Sequence, residues 1–277
     1  MLLPSFNHID TTYTHVYLSP HLDDAVLSCG GAIAHYTAAG ERVLVVTLCT
    51  GAPNPSGPFS ALAHDIHTNE WRLTPAQAMA ARLREDDQAL ARLNADTFRA
   101  GLLDAIYRMP AIYDSREALF GPPARHDPLL PALRDLIAAL RARLPAATLY
   151  APLGVGGHVD HQFTYIAALT AGGRVAYYED YPYAQRPGAL SQRLDALGQE
   201  FASETLDIGA HLAHKIAAIE AYTSQLDVLF GGAAAMAEAV TAYAAATHPS
   251  HGTYTERVWR HAGSRQGQAS NISTPLA

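Results

Sequence analysis

The chain has 277 residues, 49% of them hydrophobic and 16% charged, the balance of a folded globule with a full core rather than of a disordered chain. Its net charge of −7 lacks the basic face that phosphate contacts require, which argues against a general nucleic-acid binder. No run is long and apolar enough to span a bilayer, and Met1 to Asp10 lacks a basic and then apolar leader, so no membrane partner and a cytoplasmic location are expected.

In chain order, Thr14 to Ser19 reads as a strand and Ala25 to Ala39 as a helix stopped by Gly40. Arg42 to Cys49 is a nearly unbroken β-branched and apolar run, the pattern of a strand covered on both faces. Cys29 and Cys49, the only cysteines, sit in these apolar segments and read as small buried residues rather than a disulfide framework. Residues 51–73, rich in Pro, Gly, Ser and His, form too long a connection for an ordinary loop and are a candidate active-site loop. Thr74-Pro75 then opens a helix to about Asn94, with Thr74 as cap and Pro75 at the first helical position. A strand follows at 97–100, a helix at 128–144, a strand at 147–151, a helix at 158–171 and a strand at 174–178. Beyond Tyr183 the spacing predicts a long helix over 204–229 and, after Gly231-Gly232, an alanine-rich one over 233–247. Residues 263–277 are polar and aperiodic and are expected to form a loose tail. Alternation of this kind predicts an α/β fold with a mostly parallel sheet, helices on both faces and a helical C-terminal extension.

Two clusters carry chemistry, each at the carboxyl end of a predicted strand, where α/β sheets bind ligands. In Ser19-Pro20-His21-Leu22-Asp23-Asp24, His21 and Asp24 are spaced to reach one metal while Asp23 stays free to act as a base toward a metal-bound water. Read alone, the two aspartates serve equally well as caps of the following helix. In Gly156-Gly157-His158-Val159-Asp160-His161, His161 completes a set of two histidines and one carboxylate. His158 is placed to stabilise a developing oxyanion or the leaving amine, and Asp160 to orient an imidazole.

The motif Pro20-His21-Leu22-Asp23-Asp24 resembles the His-Pro-Asp-Asp signature of the PIG-L/LmbE-like zinc-dependent N-deacetylases, with Leu22 in place of the proline and Ala25 where many members have glutamate. Gly157-His158-Val159-Asp160-His161 resembles their His-x-Asp-His signature. The run 40–47 and the helix carrying Arg82-x-x-Glu85 also look like that family, over about residues 14–183, and less surely the helix with Lys215 and Ser224-Gln225. The resemblance implies a Rossmann-like single domain over residues 1–262 that removes an acetyl group from an N-acetylglucosamine-type amino sugar or its conjugate. It implies zinc (or Fe²⁺ or another divalent metal) on His21, Asp24 and His161, Asp23 as general base, and His158 as oxyanion stabiliser or proton donor. Homo-oligomerisation is left open.

Two other classes compete. The same ligand set forms the facial triad of non-haem iron oxygenases, which do not need Asp23; a non-catalytic sugar- or nucleotide-binding module has no need of Asp23 next to a ligand pair, and the turn after the first strand carries no G-x-G-x-x-G or P-loop. Arg82 and Glu85 read either as substrate or loop braces or as an exposed i, i+3 pair. His64, His67 and Trp71 read as a lid over a sugar ring or as ordinary loop surface, and 178–183 as a further candidate pocket wall.

Overall fold

The computed structural model describes residues 1–247 and 253–262; the predicted tail at 263–277 lies outside the described residues. The strands are β1 (His15–Ser19), β2 (Val43–Thr47), β3 (Asp96–Arg99), β4 (Thr148–Pro152), β5 (Val175–Tyr178), β6 (Phe201–Asp207) and β7 (Thr255–His261). They form one seven-stranded sheet in the order β3-β2-β1-β4-β5-β7-β6. The first five are parallel, and β7 runs antiparallel to both β5 and β6. The main helices are α1 (Asp24–Ala38), α3 (Pro75–Arg92), α6 (Leu129–Arg143), α7 (Val159–Leu169), α9 (Leu212–Ile219), α10 (Thr223–Phe230) and α11 (Ala233–Ala246). The remaining helices are the single turns α2 (Ala61–Asp65), α4 (Ala105–Arg108) and α5 (Arg116–Leu119), and α8 (Ala189–Leu197).

Every residue of β1, β2 and β4 is buried, as expected of strands covered on both sides. Alternate residues feed two cores. Val16, Leu18, Leu44 and Val46 meet Leu133, Ile137 and Leu140 of α6 and Phe163 of α7. Tyr17, Val43 and Val45 meet Val26 and Ile33 of α1, Ala89 of α3 and Ile219 of α9. Helix α9 packs across both α1 and α3. At the α1–α9 contact Gly30 faces Lys215, whose Cγ would stand 3.1 Å from a Cβ there, and Gly31 makes room ahead of α9 for Ile208, whose Cδ1 would stand 2.6 Å from a Cβ.

Strand β1 has β2 on one side and β4 on the other. The chain therefore winds outward to β3, returns across the sheet and winds outward again. The crevice beyond β1 and β4 is the topological switch point, where open α/β sheets take their ligands.

The expected helix over 204–229 is not formed. Its first residues belong to β6, and the rest divide into α9 and α10 with a break at 220–222. Five of the seven β6 residues, the run Ala202–Thr205 and Asp207, are exposed, so the strand has no apolar alternation to announce it. What makes it a strand is pairing with β7, from Phe201↔His261 to Asp207↔Thr255, a partner that no local pattern reveals. The break before α10 is held by Tyr222, fully buried with its hydroxyl donating to Asp86 Oδ1 at 2.9 Å.

Candidate active site

The turn after β1 is built to present His21. Ser19 Oγ donates to the His21 carbonyl at 2.7 Å and accepts from Ala25 N at 3.1 Å. Asp24 Oδ2 accepts from His21 N at 2.8 Å, so Asp24 is fixed at the first turn of α1. After β4, Gly156 and Gly157 adopt left-handed φ of 88° and 84°, which β-carbon-bearing residues disfavour. This turn delivers His158 to the N-cap of α7, one position before the helix rather than inside it, and places His161 one turn in.

The two clusters meet. His21 Nδ1 to Asp24 Oδ2, His161 Nε2 to Asp24 Oδ2 and His161 Nε2 to His21 Nδ1 are each 3.3 Å. Four ligands at about 2.0–2.1 Å around a tetrahedral ion lie roughly 3.3–3.4 Å apart. The triangle thus has the edge length of three corners of such a shell, and its donors, two imidazole nitrogens and a carboxylate oxygen, suit a borderline divalent cation.

Each imidazole turns its other nitrogen to a buried carboxylate, the arrangement that fixes tautomer and ring plane in metal sites. His21 Nε2 lies 3.1 Å from Asp160 Oδ2 and 3.4 Å from Asp104 Oδ2. His161 Nδ1 lies 2.7 Å from Asp180 Oδ1, and Asp180 Oδ2 accepts from Gly154 N and Val155 N, both at 2.8 Å. Asp160 also accepts from Arg108 Nη2 at 2.7 Å and from Ala105 N at 3.1 Å. Asp160 is fully enclosed, and its neighbours make it the support of His21. Arg108 is itself clamped by Asp127 at 2.6 and 2.8 Å.

Electrostatics separate the groups. Burial opposes charging His161, but Asp24 and Asp180 outweigh it and push its pKa up to about 10. His21 is likewise raised, burial being outweighed by Asp104, Asp160 and Asp24. Burial and the neighbouring His21 hold His158 well below the ordinary imidazole value. Its Nδ1 accepts from Asp160 N at 3.2 Å, which leaves the proton of the neutral ring on Nε2.

Asp23 stands at the N-cap position of α1 beside the triangle, but its side chain makes no capping hydrogen bond; instead Arg82 Nη2 donates to its Oδ2 at 3.2 Å. The expected alternative of an exposed Arg82–Glu85 pair is not realised. Arg82 points into the site, while Glu85 accepts from Thr223 Oγ1 at 2.7 Å and from Ser224 N and Oγ at 2.8 and 2.7 Å. Above the triangle lies a cleft of about 280 Å³, lined by His21, Asp23, Asp24, Arg82 and His158 together with Trp71, Phe120 and Tyr183. Of the loop candidates, Trp71 reaches this cleft. His67 is bolted away from it, Nδ1 to Leu73 O at 3.0 Å and Nε2 to Tyr107 Oη at 2.7 Å, and His64 packs on Phe59. In 178–183, Pro182 and Tyr183 line the cleft, whereas Tyr178 is buried with its hydroxyl on Leu18 O at 2.8 Å. Lys215 lies outside it, in a buried pair with Glu256 at 2.7 Å.

The profile of the family described as PIG-L: GlcNAc-PI de-N-acetylase matches residues 16–172, a span that contains both clusters. The chain belongs to the PIG-L family. Among its relatives, the 2'-N-acetylparomamine deacetylase of Streptomyces fradiae is 32% identical over 76% of this chain and 72% of its own. That of Niallia circulans is 26% identical over 78% of this chain and 82% of its own. Among solved structures, the zinc-inhibited form of the teicoplanin deacetylase Orf2 superposes with a TM-score of 0.72 at 31% identity, covering 88% of this chain and 96% of that one.

Within this PIG-L chain the sequence reading did not single out Asp104 or Arg108, and it held 178–183 only as a wall, without the role of Asp180. Asp180 follows β5 by two residues, so its position at a strand end was the available signal. Asp104 and Arg108 lie on the α4 turn, beyond the short strand β3, with no motif around them.

Proposed function

We propose that this chain is a metal-dependent N-deacetylase acting on an N-acetylated amino sugar or its conjugate, with zinc on His21, Asp24 and His161. The carrying observation is the equilateral 3.3 Å triangle of those three side chains with Asp23 beside it at the floor of the cleft. The amino-sugar substrates in the names of the paromamine relatives support the same reading. A divalent cation held there supplies a Lewis acid for the acetamide carbonyl and lowers the pKa of a water.

The residues around it divide the remaining work. Asp23 takes the proton of the attacking water and returns it to the departing amine. Burial raises its pKa while Arg82 opposes that rise, so Arg82 favours the ionised base and aims it. His158 donates from Nε2 to the acetamide oxygen as charge develops there, a role for which a neutral ring is sufficient. Asp160 and Asp180 are positioning residues for His21 and His161.

The test is to strip the protein of metal, reload it with one equivalent of zinc and assay acetate release from N-acetylglucosaminides. Activity that follows metal loading, and is absent in His21→Ala and His161→Ala with the fold retained by circular dichroism, is expected. Stoichiometric metal at wild-type affinity in either variant would remove that residue from the ligand set, and absence of acetate release from any such glycoside would overturn the reading.

A further inference from the structure

We infer that the amino sugar this site accepts carries an apolar, non-cationic group, aryl or alkyl, next to the sugar; the inference rests on the deacetylase reading and concerns its substrate class. The cleft sets the polar groups of His21, Asp23, Asp24, Arg82 and His158 beside the apolar side chains of Leu27, Trp71, Phe120, Val228 and Leu229; Trp71 lies against Arg82 and Phe120 against His158. Val228 is 44% exposed, one of four large hydrophobic side chains so displayed among the described residues. It lies on α10, whose Leu226 and Gln225 are turned inward, and next to Leu229 on the cleft. An aliphatic edge held open to water beside a polar reaction centre gains more free energy from an apolar ligand group than from a hydroxylated sugar.

Charge narrows the class further. Four carboxylates line the cleft, Asp23, Asp24, Glu70 and Asp104, against the guanidiniums of Arg82, Arg116 and Arg186. A divalent cation in place turns that balance positive. The acidic groups are also engaged: Asp23 with Arg82 and Glu70 with Arg116, while Asp24 is a corner of the triangle and Asp104 Oδ2 lies 3.4 Å from His21 Nε2. Among the described residues Arg186 has no carboxylate partner; its guanidinium stands 5.5 Å over the Tyr183 ring. A ligand bearing several ammonium groups meets repulsion here without a free acid in return.

The experiment compares methyl, phenyl and hexyl glycosides of N-acetylglucosamine with 2'-N-acetylparomamine. It reads kcat/KM on the zinc-loaded protein and, by calorimetry, binding of the corresponding free amines, which needs no turnover. Phenyl and hexyl glycosides are expected to exceed the methyl glycoside by roughly tenfold or more in both measures, with the aminoglycoside weakest. Phenyl ahead of hexyl identifies stacking on Trp71 and Phe120; hexyl ahead of phenyl identifies a chain along Val228 and Leu229. Val228→Ser is expected to shrink the phenyl-to-methyl ratio by roughly tenfold, and Arg186→Gln to raise the aminoglycoside relative to the others. A preference for the aminoglycoside, or equal binding of methyl and phenyl compounds, would overturn the inference. So would phenyl-to-methyl and hexyl-to-methyl ratios indifferent both to Val228→Ser and to Trp71→Ala. Failure of the deacetylase reading looks different: no turnover of any glycoside, with the binding order retained.

Discussion

Asp23 and Asp24 are adjacent in sequence and driven in opposite directions. Burial raises Asp23 from its ordinary value, with Arg82 opposing, whereas His161 and His21 overcome burial and hold Asp24 well below the usual carboxylate range. Divergence of this kind separates a base from a ligand. Asp23→Asn keeps all three ligand side chains, so metal content should stay at one equivalent while kcat falls by about 10²–10⁴-fold. Near-normal turnover would dismiss Asp23 as the base, and metal loss would make it a ligand. For His158→Ala, loss of one donor to a developing oxyanion corresponds to about 10²–10³-fold in kcat, with metal retained and a smaller change in KM. A variant with unaltered kcat returns His158 to a purely capping role. Asp180 touches no metal position, yet Asp180→Ala should weaken metal affinity by about 10–100-fold because His161 loses the carboxylate that fixes its ring. Competition against a chelator measures this, and an unchanged constant would show that the 2.7 Å contact does not support the ligand.

Helix α3 links the site to the C-terminal helices. It opens with a capping box in which Thr74 Oγ1 accepts from Gln77 N and the Gln77 side chain accepts from Thr74 N, closes near β3, and carries Arg82 toward Asp23. One turn on, Glu85 holds the N-terminus of α10 through Thr223 and Ser224. Glu85→Ala is expected to destabilise the protein by about 1–3 kcal/mol through the donors left behind. Because α10 also carries Gln225, Val228 and Leu229 of the cleft, KM should rise with it. Chemical denaturation and a substrate titration check the two effects; unchanged values in both would mean α10 is held by packing alone.

For the whole molecule, the metal-free site is a proton store. With the His161 pKa near 10, a cation must displace a proton at neutral pH, so apparent affinity should rise as pH climbs from 6 to 8 and fall in acid. The increase approaches tenfold per pH unit for each proton displaced, and proton release can be read calorimetrically in buffers of different ionisation enthalpy. Affinity flat across that range would contradict the raised value. The same shift bears on stability. A histidine whose folded pKa is raised contributes fully below its ordinary 6.5 and loses that contribution as pH rises through about 10. The metal-free protein is thus stabilised by this group on the acid and neutral side, the side on which the metal binds least well.

Much of this arrangement is present in the order of residues. The buried runs of β1, β2 and β4 announce a parallel sheet because strands covered on both faces need apolar side chains at every position. His21, Asp23 and Asp24 are legible because they stand within five residues of the end of β1, and His158 and His161 because they follow the end of β4 by six and nine residues, where local geometry already brings donors together. Arg82 was ambiguous, since its helix spacing to Glu85 is the same whether the two pair or part. Asp104, Arg108 and the role of Asp180 were decided by tertiary structure: their partners lie 19 to 83 residues away along the chain. Strand β6 is the clearest case. Its exposed side chains carry no periodic signal, and only the hydrogen bonds offered by β7, some 50 residues on, make that segment extended rather than helical.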